Sequence, residues 1–69
     1  MSEKFQLKGD FIELFKLMKI LGWCDSGGMA KQAVAHGLVN VDGKEETRKA
    51  CKIKKGQRVE FEGKTVVVE

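Results

Sequence analysis

Between Phe11 and Leu21 the chain sets eight apolar residues in eleven positions, broken only by Glu13, Lys16 and Lys19. A polar residue at every third position leaves one narrow exposed stripe, which predicts a largely buried helix. Asp10 stands where an N-cap belongs, with Glu13 three residues on, and Gly22 is a natural stop. Upstream, Glu3–Lys8 alternates polar and apolar through Phe5 and Leu7 and predicts a short half-buried strand, ended by Gly9. Ser26 offers a second N-cap for a helix over "GGMAKQAVAH", closed by Gly37. Its inner side is Ala30, Ala33, Val34 and Met29, with Lys31 and Gln32 outward. Small inner residues let it lie close to the first helix.

Beyond Gly37 the period changes to that of strands. "LVNV" is a strand, and Asp42-Gly43 is a hairpin turn because both residue types tolerate positive φ. "KEET" can return from it. "RKACKIKKGQ" is basic and irregular. "RVEF" and "TVVV" flank "EGK" as a second tight hairpin. The order expected is β-α-α-β-β-β-β with a short antiparallel sheet, and 69 residues allow one domain, spanning 1–69.

Composition narrows the function classes. Cys24 and Cys51, 27 positions apart, make neither a metal motif nor a disulfide framework, and read as reduced thiols of the core. No apolar run is long enough to span a bilayer and the first residues lack a signal-peptide core, so a cytoplasmic, membrane-free protein is expected. No glycine fingerprint, metal-ligand set or nucleophile with its base is present, so neither enzyme nor cofactor nor small-molecule substrate is expected. His36, the only histidine, caps the second helix or is exposed. Trp23 is expected to pack over the inter-helix turn. The aromatics sit in apolar patterns, which gives a base-stacking platform little support.

Charge carries more information than composition. The net charge is only +3, but residues 44–58 hold Lys44, Arg48, Lys49, Lys52, Lys54, Lys55 and Arg58 against Glu45 and Glu46. Such focusing creates a local potential that the total hides. Lys and Arg neutralise phosphates without needing a shaped pocket. Ser26, Gly27 and Gly28 add free backbone N–H groups at a helix N-terminus, which favours anions. Against this stand a solvated face for the cations and an ordinary Ser cap for the glycines.

The ordered series Ser26-Gly27-Gly28, Ala30-Lys31, Gly37, Val39-Asn40-Val41-Asp42-Gly43, Arg48-Lys49, Lys52-Ile53 and Gly56-Gln57-Arg58-Val59 resembles the S4-like RNA-binding domain, and the length resembles its small stand-alone, ribosome-associated members. The resemblance implies an α+β, S4-like (αL motif) fold, with two packed helices against a small curved antiparallel sheet. It implies a non-catalytic protein that grips structured RNA, ribosomal or transfer RNA, on or off the ribosome, by shape and phosphate. Carried over by position, Ser26, Gly27 and Lys31 form the helix part of that surface. Lys44, Arg48, Lys49, Lys52 and Lys55 form its loop part. Asp42 stands where many members have Asn, and Gln57 where Asp is usual. No basic residue opens the first helix, so that helix is left out of the site. The alternative is an adaptor whose basic face docks an acidic protein.

Overall fold

The computed structural model describes residues 2–69; Met1, included in the domain expected from sequence, lies outside the described residues. The chain runs β1 (Ser2–Phe5), β2 (Ile12–Glu13), α1 (Leu14–Ile20), α2 (Gly27–Ala35), β3 (Val39–Val41), β4 (Lys44–Glu45), β5 (Lys52–Ile53), β6 (Arg58–Phe61) and β7 (Lys64–Val68). Five strands form one sheet in the order β1-β7-β6-β3-β4, and β2 and β5 form a separate two-stranded ladder. The α+β class and the helix pair agree with the sequence reading.

Both tight hairpins form where expected. Asp42 and Gly43 have φ of 53° and 84°, Glu62 and Gly63 of 49° and 78°. Positive φ at both central residues is the I′ geometry, whose twist matches that of the strands it joins. Around these turns β3 pairs with β4, and β6 with β3 and β7, all antiparallel. β1 departs from expectation by running parallel to β7, with Ser2 opposite Thr65 and Phe5 opposite Val68. Alternation has period two in either direction, so it cannot reveal strand polarity. The pairing is extended by Glu69 N–H to the Phe5 carbonyl (2.8 Å) and Leu7 N–H to the Glu69 carbonyl (2.7 Å).

The start of the first helix is the main correction. Asp10 does not cap it, Phe11 and Ile12 are not in it, and Glu13 occupies the N-cap position with no side-chain capping bond. Ile12 and Glu13 are instead extended and pair antiparallel with Ile53 and Lys52. That ladder lies inside the stretch expected to be irregular. The free amides of the helix start are met by distant backbone: Leu14 N–H reaches the Cys51 carbonyl (2.9 Å) and Phe15 N–H the Lys49 carbonyl (3.1 Å). A tertiary partner has replaced the local cap.

α2 follows its sequence signals. Ser26 is extended and its Oγ accepts the Met29 N–H at 3.2 Å. Gly37, with φ of 75°, ends the helix in a conformation that glycine adopts without strain. Ala30, Ala33 and Val34 are buried, but Met29 is half exposed, against expectation. Those three define one face by their i, i+3, i+4 spacing, and Met29 is a full residue step around from it. They join Leu14, Leu17 and Met18 of α1, Ile53, and the inward valines of β3, β6 and β7 in one core. Trp23 is also buried there, its ring stacked 6.2 Å from that of Phe61 rather than resting on the inter-helix turn alone. Both cysteines are free, Cys24 buried and Cys51 half buried.

Candidate functional site

The cations expected at the site fall into two neighbouring groups, and α1 joins them. Phe15, half buried on α1, is the hinge of the first group. Lys31 of α2 holds its Nζ 4.7 Å from the centre of the Phe15 ring, and Lys16 lies 6.0 Å from it. The backbone of Gly27 lies beside the same ring, where a Cβ would meet it at an ordinary contact distance of 3.8 Å. The Phe15 amide in turn bonds the Lys49 carbonyl. Gly27 and Lys31 thus meet at the Phe15 ring and the Lys49 backbone at the Phe15 amide, so the helix left out of the site is what draws these segments together. Ser26 caps the third amide of α2, while the Gly27 and Gly28 amides find no partner among the described residues. Two unpaired N–H groups at a helix start carry the positive end of its dipole.

The second group lines a groove of about 610 Å³ between the β3–β4 hairpin and the segment around β5. Lys44, Arg48, Lys52 and Lys55, candidates from the sequence, border it, and so does Lys54. Lys54 was visible in the basic run, but no position in the motif series marks it. All five are exposed.

Two carboxylates shape this groove. Glu46 accepts from Arg48 three times: from its backbone N–H at 3.0 Å, its Nε at 3.0 Å and its Nη2 at 3.1 Å. The Cys51 thiol also donates to it, and these bonds hold the Glu46 carboxyl down at about 2. The Arg48 guanidinium is raised by the same bonds, and burial with the Glu46 contact raises the Cys51 thiol. Glu46 therefore ties the loop 46–51 into shape at the expense of part of Arg48's charge. That loop carries Lys49 outward and presents to α1 the two carbonyls that start the helix.

Asp42 is the second carboxylate. Its Oδ1 accepts the Arg58 N–H at 2.9 Å and its Oδ2 accepts from Gln57 Nε2 at 3.1 Å; Gln57 Oε1 accepts the Lys54 N–H at 2.7 Å. The bond from the Arg58 amide, then that from Gln57, lowers the Asp42 carboxyl. The two departures from the family pattern thus meet each other. Where the family pattern has an amide at 42 and a carboxylate at 57, this chain has a carboxylate at 42 and an amide at 57, and here the two are bonded.

Comparison with known proteins gives one consistent answer. The family model described as S4 domain matches residues 5–69. YbcJ of Escherichia coli (strain K12) and YbcJ of Shigella flexneri are each 52% identical over 61 residues, covering 88% of this chain and 87% of the relative. The solution structure of E. coli YbcJ, which reveals an αL motif involved in RNA binding in that protein, superposes with a TM-score of 0.72 over 94% of this chain and 84% of its own. The crystal structure of 30S ribosomal protein S4e from Thermoplasma acidophilum is 27% identical, with a TM-score of 0.68 over 84% of this chain and 31% of that one.

Proposed function

The chain belongs to the S4 domain family, and from that premise we propose that it is a non-catalytic RNA-binding protein that grips structured RNA, ribosomal or transfer RNA, through its two cationic groups. The observation that carries this is the convergence of Gly27, Lys31 and Lys49 on Phe15, beside a groove bordered by Lys44, Lys52, Lys54 and Lys55. In this reading the Gly27 and Gly28 amides hold one phosphate, with Lys31 over it. Lys49 and the groove lysines follow the neighbouring backbone. Arg48 contributes less than its charge suggests, because Glu46 engages its backbone amide, Nε and Nη2. Flexible lysines on a rigid frame suit shape and phosphate recognition better than base-edge readout. The groove is open and its cations stand in solvent, features of a surface for a large polyanion. The whole described chain works as one domain in this proposal, and the ribosome is a natural source of the RNA.

The test is fluorescence anisotropy of the purified protein with a labelled stem-loop RNA and an unstructured strand of equal length, over a salt series. Tighter, steeply salt-dependent binding of the stem-loop is expected. No binding to either at low salt would overturn the reading and favour a basic face that docks an acidic protein.

A further inference from the structure

Displacement of Phe11 from the first helix leaves it in an unusual position. It precedes β2, 42% of its surface is exposed, and the Lys52 Nζ lies 4.9 Å from the centre of its ring. Phe11 also lines a cleft of about 360 Å³ with Phe5, Gln6, Leu7, Lys8, Ile12 and Ile20. The volume is at the low end of the ~300–1,000 Å³ typical of ligand sites, suited to a single ring system. Lys52 also borders the cationic groove, so one side chain joins groove and cleft. The cleft walls are apolar apart from Gln6 and Lys8, and no carboxylate lines them among the described residues. Glu13, nearest along β2, is already paired to Lys16 at 2.9 Å.

We propose that Phe11 is a stacking platform for one unpaired nucleobase of the bound RNA, taken into this cleft while its flanking phosphates sit on Lys52 and Lys8. The inference rests on the RNA-binding reading above and adds to it a site for a base. A flat apolar body joined to anionic groups on both sides is the chemistry matched by an aromatic ring with one lysine over it and another in the wall of its cleft. A second copy of this chain fits less well, because it would bring its own net charge of +3 against Lys8 and Lys52. Lys52 need not hold the ring once RNA is present. An exposed cation–π contact changes an equilibrium by a factor of about 2–5, whereas stacking one base on an aromatic changes it by about 5–150-fold. Release of Lys52 from the ring to a phosphate is therefore favoured, and the base inherits the ring face. Gln6, exposed at the cleft wall, presents a carboxamide to the edge of the base.

The experiment uses the full chain and a set of stem-loops with one bulged adenosine at successive positions, each paired with an abasic version and with the fully paired stem. The bulged form at the best position is expected to bind about 5–150-fold tighter than its abasic counterpart. Phe11→Leu should remove that preference while binding the abasic RNA as before, and Phe11→Trp should keep it. A 2-aminopurine in place of the bulged adenosine should lose emission on binding to the original protein and not to Phe11→Leu. Equal binding of bulged, abasic and paired RNAs overturns the stacking site while leaving the RNA-binding reading in place. No binding to any of them overturns both. A dimer in sedimentation that Phe11→Leu dissolves would assign the cleft to self-association and overturn the proposal.

Discussion

At the scale of single residues, two carboxylates do work that their exposure would not suggest. Glu46 collects two side-chain bonds and one backbone bond from Arg48, together with the Cys51 thiol. Its carboxyl titrates at about 2 in the folded chain against an ordinary 4.5. A lowered value means that the ionised form stabilises the fold. The contribution is complete above the ordinary value and is lost as pH falls through 4.5 toward about 2. Glu46→Gln should lower Tm at neutral pH by a few degrees, and the gap to the parent should close as acid is added. Thermal melts followed by circular dichroism across that range would show it; a gap independent of pH would mean that the charge of Glu46 is irrelevant. Asp42 and Gln57 form a second unit. Asp42→Asn sets an amide donor against the Gln57 amide donor, whose own oxygen is held by the Lys54 N–H. Gln57→Asp alone sets two carboxylates together. Each single change should cost about 0.5–1 kcal/mol, a surface-screened hydrogen bond's worth. The double change again sets one amide against one carboxylate and should cost less than the sum, a coupling that denaturant melts of the four proteins would measure.

At the scale of elements, the chain shows clearly which signals are local and which are not. The two I′ hairpins, the Ser26-capped helix and its small inner face were all readable, because a turn, a cap and a 3.6-residue period are set by neighbours in sequence. The start of α1 was not. Asp10 and Glu13 compose a sound local cap, yet the helix begins later because the carbonyls of Lys49 and Cys51, over thirty residues away, satisfy its amides and β5 draws Ile12 and Glu13 into a ladder. The same long-range pairing decided the site. The cations were readable as a run, but nothing local indicated that Phe15 would gather Lys31 and Lys49, or that Phe11 would stand in solvent under Lys52. One turn also carries a residue that its geometry disfavours. Glu62 has φ of 49° at the first position of the β6–β7 turn, where asparagine is favoured. Glu62→Asn should stabilise the chain by about 0.5 kcal/mol, since an L-residue in that region costs roughly 1–2 kcal/mol and asparagine recovers part of it through local hydrogen bonding. A chemical-denaturation midpoint that does not rise would mean that the turn is not limiting.

At the scale of the whole molecule, the question is how a chain of net charge +3 could hold a polyanion firmly. The answer in this structure is segregation. The five groove cations sit on β4, β5 and the loops that follow them, where the carboxylates that line the groove, Asp42 and Glu46, are held in hydrogen bonds. The Phe15 group lies beside them, and Glu60, Glu62 and Glu69 lie on β6, in the β6–β7 turn and just after β7. A polyelectrolyte responds to the local field, which falls off within about 8 Å at physiological salt, and not to the sum over the chain. The count of phosphates held should therefore follow the two groups and not the net charge. With a stem-loop RNA, replacing Lys31, Lys49, Lys52 or Lys55 by Ala should each reduce the slope of log affinity against log salt by about one. Lys4→Ala, on the far edge strand and already 3.7 Å from Glu69, removes the same formal charge and should leave the slope unchanged. Arg48→Ala should fall between these, because its charge is partly spent on Glu46. The alternative, attraction set by overall charge, predicts equal changes for all six substitutions. Equal slopes would dissolve the site as a place, and a graded series would locate it on the surface that α1 and the Glu46 loop hold together.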